Sequence, residues 1–195
     1  MEEQSENSED KDKTIEDDSN DDEQCIVTGL TKRQKQVLLN SWAKLKGNSE
    51  EDADNLGLEL VLWMLEEIPH MRKLFRKFNA KKNNAELSKD QMFVAHTKKV
   101  IGSLDTAMGV LTNSDEFALV ATSVCALHVN LKPSVGSKYF DPFHEKFHLF
   151  IEKRLSLPPD HEEVQLWTDF LGVVCAVIKS EEAKLPKKSG CCVVM

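Results

Sequence analysis

The sequence predicts an all-helical domain, and three observations lead to this fold class. Apolar residues recur at spacings of three and four along most of the chain after residue 30. Capping residues precede several of these stretches, and prolines such as Pro69 and Pro133 interrupt them. The sequence has no alternating strand pattern, hairpin dipeptide or solenoid repeat. We therefore expect about seven helices in one domain of roughly 150 residues.

Each helix is predicted from a capping residue, an apolar face or both. In chain order, the landmarks are the capping box Thr31/Gln34, a second helix that stops at Pro69, the short segment PHMRKLFRKF, a helix capped by Ser88 with Gln91, a helix from about Asn113 and Ser114 to Val129, an aromatic helix marked by Phe140 to Leu155, and a last helix capped by Asp160 with Glu163.

The acidic residues are concentrated at the N-terminus, and this helps to divide the chain into three parts. Residues 1–24 hold twelve acidic and two basic residues, whereas the rest of the chain holds 21 acidic and 23 basic residues. Such an acidic segment cannot bury enough apolar surface to order itself. We expect residues 1–28 to be a disordered acidic arm, 29–180 the helical domain and 181–195 a flexible tail. Nucleic acid is not an expected partner.

Two histidines lie on apolar helix faces. His96 falls within a stripe that also contains Phe93, Val100, Leu104, Ala107 and Leu111. One such histidine is more often a core residue bonded to a carbonyl or a water than a ligand. His128 lies on the inner face of the next helix, and a pair of this kind favours metal ligands. The Phe, Val, Leu and Met residues around them suit a large, flat, apolar cofactor such as haem.

The chain resembles the globin family over residues 29–180. The resemblance is carried by Trp42, by Pro69 followed by Phe75 and Phe78, by His96, by LHV around His128 and by LWTDFLGVV in the last helix. It implies a globin fold of seven to eight helices in a three-over-three sandwich, with haem b as cofactor. It further implies His128 as the proximal iron ligand, His96 as the distal one, and as haem-contacting residues Val61, Phe75, Phe78, Lys99, Val100, Val124, Leu127 and Val135.

The histidine spacing points to one group within that family. His96 and His128 are 32 residues apart, as in hexacoordinate globins such as neuroglobin, cytoglobin and globin X. The resemblance implies that His96 binds the iron when no gas is present. We also expect the second ring nitrogen of His128 to donate to a carbonyl one turn earlier, near Val124.

The chain ends in KKSGCCVVM, and its last four residues match a prenylation box. Cys192 is the predicted farnesylation site and Cys191 a palmitoylation candidate. Lysines before them, Lys184, Lys187 and Lys188, would be attracted to an anionic leaflet. The widely spread cysteines and the absence of a signal peptide predict an intracellular compartment. We expect the cytoplasmic face of a membrane, the plasma membrane in particular.

A competing motif is His144-Glu145-Lys146-Phe147-His148, which matches the H-E-x-x-H helix of zinc proteases. A protease also needs a third ligand and a strand that holds the substrate. His161, Glu162 or Glu163 would have to supply that ligand. The apolar face of this helix leaves His144 and His148 on its flank, and this alternative is the weakest of those considered.

A lipid-anchored globin would work at the bilayer more than in bulk oxygen transport. The expected small ligands are O2, CO, NO and nitrite, and the expected roles are one-electron exchange with a membrane reductase, protection from oxidants, or sensing. No dedicated catalytic class is predicted, with nitrite reduction or nitric oxide dioxygenation as side activities. An alternative from another class is a lipidated signalling module in which haem is the regulatory ligand.

Overall fold

The computed structural model describes residues 22–78 and 82–186, without the side chains of residues 76–78. Within these residues the chain is all-helical and contains no strand, which confirms the predicted class. The helices are α1 Lys32–Lys46, α2 Glu50–Glu67, a 3₁₀ segment Pro69–Phe78, α3 Asn84–Leu87, α4 Gln91–Gly109, α5 Ser114–Val129, α6 Ser137–Leu155 and α7 Glu162–Ala183. In this part of the chain, no helix is both long enough and apolar enough to span a bilayer.

Several helix starts agree with the capping residues read from the sequence. The Thr31 side chain accepts from the Gln34 amide and the Gln34 side chain accepts from the Thr31 amide, which completes a capping box at α1. Asn113 caps α5 by accepting from the amide of Glu116. These side chains satisfy backbone donors that have no partner within the helix.

The start predicted for α4 was wrong by two residues. Ser88 does not cap α4, because it follows the four-residue helix α3, and its hydroxyl donates to the Ala85 carbonyl. Asp90 is the cap instead, and its carboxylate accepts from the amides of Met92 and Phe93. The short helix α3 precedes α4 and was not predicted from the sequence.

The cap predicted for α7 was also wrong, by one residue. His161 rather than Asp160 occupies the N-cap, and its Nδ1 accepts from the amide of Glu163. Glu163 therefore lies in the first turn but does not complete a box with Asp160. A ring nitrogen of histidine serves here as the acceptor that a carboxylate was expected to supply.

The core forms where α6 and α5 pack on α7 and where α2 packs on α4. Trp42 of α1 and Trp167 of α7 meet with ring centroids 6.1 Å apart. The Trp167 indole N–H donates to the Ser41 hydroxyl at 2.9 Å, so this polar pair is satisfied inside the core. α1 is thereby joined to the last helix.

Helix α4 packs on α2 through a face next to the one expected. Its buried stripe is Phe93, Thr97, Ile101 and Met108, whereas His96 and Val100 are half-buried. The stripe read from the sequence shares Phe93 with this one and ends at Leu111, which is also buried, and its Val100, Leu104 and Ala107 are partly buried against the core. α2 approaches closely at Gly57, where a Cβ would lie 2.7 Å from the carbonyl oxygen of Thr97. This contact fixes the rotation of α4 relative to α2.

Candidate functional site

A cavity of about 180 Å³ lies between α2, the 3₁₀ segment, α4, α5 and α6. Two histidines, His96 of α4 and His128 of α5, are the only polar side chains among the twelve residues that line it. The ten apolar lining residues are Val61, Met64, Met71, Leu74, Phe75, Val100, Leu131, Val135, Phe140 and Phe143. The site therefore combines two imidazoles with an apolar enclosure.

The ring of His128 is held by its own helix. Its Nδ1 lies 2.8 Å from the carbonyl oxygen of Val124, one turn earlier. A carbonyl can only accept, so Nδ1 carries the proton and Nε2 is left as the basic nitrogen. Phe140 packs edge-on against the ring, with centroids 5.5 Å apart. The backbone after α5 folds over the same turn, since the Val135 amide donates to the His128 carbonyl at 3.0 Å.

The ring of His96 approaches the cavity from α4. It makes an edge contact with Phe75 of the 3₁₀ segment, with centroids 5.4 Å apart. Burial is the main reason that the pKa of His96 lies below its ordinary value, and the nearby His128 and Lys99 lower it further. A neutral imidazole is the form that can bind a metal. Both histidines can thus present a nitrogen lone pair.

The structure places four of the eight predicted haem-contacting residues at the cavity. Val61, Phe75, Val100 and Val135 all line the cavity. Val124 contributes its carbonyl rather than its side chain. These residues come from α2, the 3₁₀ segment, α4, α5 and the loop before α6, so the fold brings together positions far apart in the sequence.

The remaining predicted haem contacts are Leu127, Lys99 and Phe78. The prediction for Leu127 was wrong, because its side chain is 71% exposed and does not line the cavity. It precedes His128 by one residue, which on a helix turns it about 100° away. Lys99 is exposed and near enough to affect His96, and its contact with a haem propionate stays a prediction. The Phe78 side chain lies outside the described residues.

Sequence reasoning missed several lining residues, among them Leu131, Phe140 and Phe143. The signal for the two phenylalanines was present, because they belong to the apolar face predicted for α6. That face serves both the core and the cavity: Phe143 packs on Phe147 and also lines the pocket. Leu131 lies in the turn after α5, where no periodicity indicates a direction.

The two histidines of the zinc motif contact other groups of the protein. The Nε2 of His144 lies 3.0 Å from the carbonyl oxygen of Thr168 in α7, and His148 lies 4.0 Å from Glu152. In residues 22–78 and 82–186 no group of three or more His, Cys, Asp or Glu side chains is arranged to hold a metal ion. His144 therefore connects α6 to α7, and the protease alternative has no ligand set in the described part.

Four of the five cysteines fall into two groups. Cys125 and Cys175 are buried, and burial raises the pKa of these thiols to about 12 and about 11. They are packing residues, as small buried thiols commonly are. The predicted lipidation sites Cys191 and Cys192, with Lys187 and Lys188, lie outside the described residues.

Comparisons with known proteins place this geometry in a family. The family model described as Globin matches residues 59–178. A globin from Biomphalaria glabrata is 29% identical over 150 residues, covering 77% of this chain and 97% of its own. Cytoglobin-1 from Oryzias latipes is 23% identical, covering 77% and 82%.

Two solved structures share the fold. Ferric myoglobin from Aplysia limacina superimposes with a TM-score of 0.66 at 18% identity, covering 78% of this chain and 98% of its own. A hexacoordinated haem protein from an anhydrobiotic tardigrade, crystallised at pH 4, gives a TM-score of 0.67 at 22% identity, covering 80% and 97%. These likenesses confirm the all-helical architecture predicted from the sequence.

Proposed function

Because the chain belongs to the globin family, whose members bind haem b and oxygen, we propose that it is a six-coordinate haem protein that works at a membrane surface. His128 is the proximal iron ligand in this proposal and His96 the distal one. O2 and other diatomic ligands would compete with His96 for the iron. Redox exchange or sensing at the bilayer, rather than bulk oxygen transport, would be its role.

One observation carries the six-coordinate proposal: among the described residues that line the cavity, two imidazoles are the only polar side chains. They reach one apolar cavity from two different helices, and imidazole nitrogens are common ligands of iron. The donor set therefore fits haem, whose apolar ring suits the Phe, Val, Leu and Met lining. The hexacoordinated tardigrade protein of similar fold supports the same coordination.

The residues of the site would have different roles in binding haem and its ligands. When bound, haem supplies an iron that changes oxidation state and accepts axial ligands. The hydrogen bond to Val124 fixes the tautomer of His128 and makes its Nε2 a better donor. His96 would hold the iron from α4 and would have to move before a gas could bind. Phe75, Val61 and Val100 make the cavity around His96 apolar, which favours a small uncharged ligand there.

Membrane attachment is the second part of the proposal, and the sequence of the C-terminal tail supports it. A farnesyl group on Cys192 alone would give reversible binding, and a palmitoyl group on Cys191 would make it stable. The basic residues before them would add attraction to anionic lipids. A membrane reductase is the expected electron donor, and nitrite reduction or nitric oxide dioxygenation would be side activities of the same iron.

The visible spectrum of the haem-loaded, reduced protein under nitrogen tests the coordination. Sharp, split bands are expected from low-spin iron held by both histidines. His96→Leu should convert them to one broad band, whereas His148→Leu, a histidine outside the cavity, should leave them unchanged. A single broad band in the unmodified protein would show that His96 does not bind the iron.

The mass of the C-terminal peptide tests the anchor. After expression in a eukaryotic cell, we expect the C-terminal peptide to end at Cys192 with a farnesyl group. We also expect the intact protein to sediment with membranes. Cys192→Ser should abolish both, and Cys191→Ser should leave the farnesyl group while weakening membrane retention. An unmodified peptide that still ends in Met195 would refute lipidation.

A further inference from the structure

The mouth of the haem cavity carries an apolar and basic surface. Leu127 and Leu131 follow His128's helix into the turn after it, and their side chains are 71% and 53% exposed. Leu131 also lines the cavity, so the surface reaches its edge. Lys132, which follows Leu131 in the chain, and Lys138, in the first turn of α6, are exposed. We call these four residues the proximal rim.

One acid lies close to the proximal rim, because the Glu182 carboxylate sits against Gly136 in the loop between Lys132 and Lys138. Nearby, Lys179 pairs with Asp141 at 3.0 Å and Lys184 with Glu181 at 2.5 Å, so those charges cancel locally. In the described part of the chain, neither rim lysine forms an ion pair; Lys138 instead lies over the Tyr139 ring. The rim therefore offers two cations next to two exposed leucines.

The two chain ends leave from opposite ends of α5. Near the N-terminus, the Sγ of Cys25 lies 2.9 Å from the Ser114 hydroxyl at the first residue of α5. Near the C-terminus, Leu185 packs against the cluster of Cys125, Val129 and Ile178, whose first two members lie in the last two turns of the same helix. Sixteen residues of helix separate these points by about 24 Å.

The described chain ends beside the proximal rim, since Glu182 near the end of α7 lies against Gly136, between Lys132 and Lys138. Cys25, by contrast, lies at the far end of α5. The six Cα–Cα steps from Pro186 to Cys192 can span at most about 21 Å. A group attached at Cys192 is thus confined to the rim's side of the molecule.

We propose that the proximal rim docks on an anionic lipid bilayer and turns the mouth of the haem cavity towards it. This inference rests on the proposed membrane function and specifies which face meets the lipid. Exposed leucines enter the interfacial region while lysines reach the headgroups. A protein partner fits less well, because lysine is depleted in protein–protein interfaces. The haem edge would then face lipid-borne oxidants and membrane electron donors.

Vesicle sedimentation tests the docking. The probe is the full-length, haem-loaded chain from a bacterial host, with both terminal cysteines replaced by serine, so that no lipid anchor contributes. We expect it to bind phosphatidylcholine vesicles containing phosphatidylserine and to bind pure phosphatidylcholine much less. Lys132→Gln with Lys138→Gln should weaken binding about 25-fold, since each lysine near an anionic surface contributes about fivefold.

Helix α5 also provides a matched pair for the apolar part. Leu127→Ser should lower the affinity at least about fivefold. Leu119→Ser changes a leucine that is 69% exposed on the same helix but two turns from the rim, and it should have no effect. Visible spectra of all variants show whether the haem site is intact, so a coordination failure is recognised separately. Absence of binding to anionic vesicles, or equal loss in Leu119→Ser and Leu127→Ser, would overturn the proposal.

Discussion

Replacing Gly57 by alanine tests how tightly α2 holds the helix that carries His96. A Cβ at Gly57 would lie 2.6 Å from Ile101 Cγ1 and 2.7 Å from the Thr97 carbonyl oxygen. The isoleucine can adjust, but the backbone oxygen can retreat only if α4 moves. Overpacking of this kind costs about 1–3 kcal/mol, and the better helix propensity of alanine returns about 1 kcal/mol. The expected net loss is about 0–2 kcal/mol, or up to roughly 8 °C in Tm for a domain of this size.

Gly102→Ala is the matched control, because Gly102 lies in the interior of α4 and a Cβ there would meet no atom within 4 Å. It should stabilise the protein by about 0.5–1 kcal/mol. Urea unfolding followed by far-UV circular dichroism gives both values. Since α4 carries His96, Gly57→Ala should also weaken the low-spin bands, whereas Gly102→Ala should not. If Gly57→Ala were as stable as Gly102→Ala, the close contact between α2 and α4 would be refuted.

Three further predictions concern single contacts. Burial raises the pKa of Cys25, but hydrogen bonds, led by the one with Ser114, outweigh this effect and lower the pKa to about 6. Iodoacetamide labelling mapped by mass spectrometry should therefore show a midpoint near that pH, and Ser114→Ala should move it upward; labelling that begins only above pH 8 would contradict this. Trp167→Phe removes the hydrogen bond to the buried Ser41 hydroxyl together with part of a buried ring, and it should cost about 1–3 kcal/mol in urea unfolding; an unchanged midpoint would refute the role of that contact. A hydrogen bond from a lysine is the main reason that the pKa of Asp105 is lowered, so its contribution to stability is complete above the unfolded pKa of about 4 and is lost as the pH falls below it. Asp105→Asn should destabilise the protein at neutral pH and progressively less in acid, and a pH-independent effect would exclude this linkage.

Helix identity could be predicted from the sequence where a cap and an apolar face agree. Thr31 and Asn113 each begin a helix as expected, because side-chain acceptors at these positions satisfy the first free amides. The start of α4 could not be read in the same way. The pattern from Ser88 matched a cap, but the short helix α3 uses Ser88 at its own end, and Asp90 takes over. A four-residue helix is too short to show a period of its own.

The candidate site was predictable in its chemistry more than in its outline. The two histidines could be found because each interrupts an apolar stripe. The rotation of each helix could not, because α4 packs on α2 on one side and borders the cavity on the other, while periodicity describes only one face. An error of one residue turns a helical side chain by about 100°, which is why Leu127 was placed in the cavity but lies on the surface.

The two histidines are held in different ways, and this difference indicates which of them a gas would displace. His128 is bonded to the Val124 carbonyl of its own helix, so its ring can leave the iron only if the last turn of α5 is disturbed. The ring of His96 packs against Phe75, in a 3₁₀ segment whose backbone departs from helical geometry at that residue. A contact with a short, irregular segment is easier to rearrange than a bond within a regular helix. With haem bound, His96 would therefore be the ligand that a gas displaces, and the more firmly held His128 would stay in place beside the surface that we assign to the membrane.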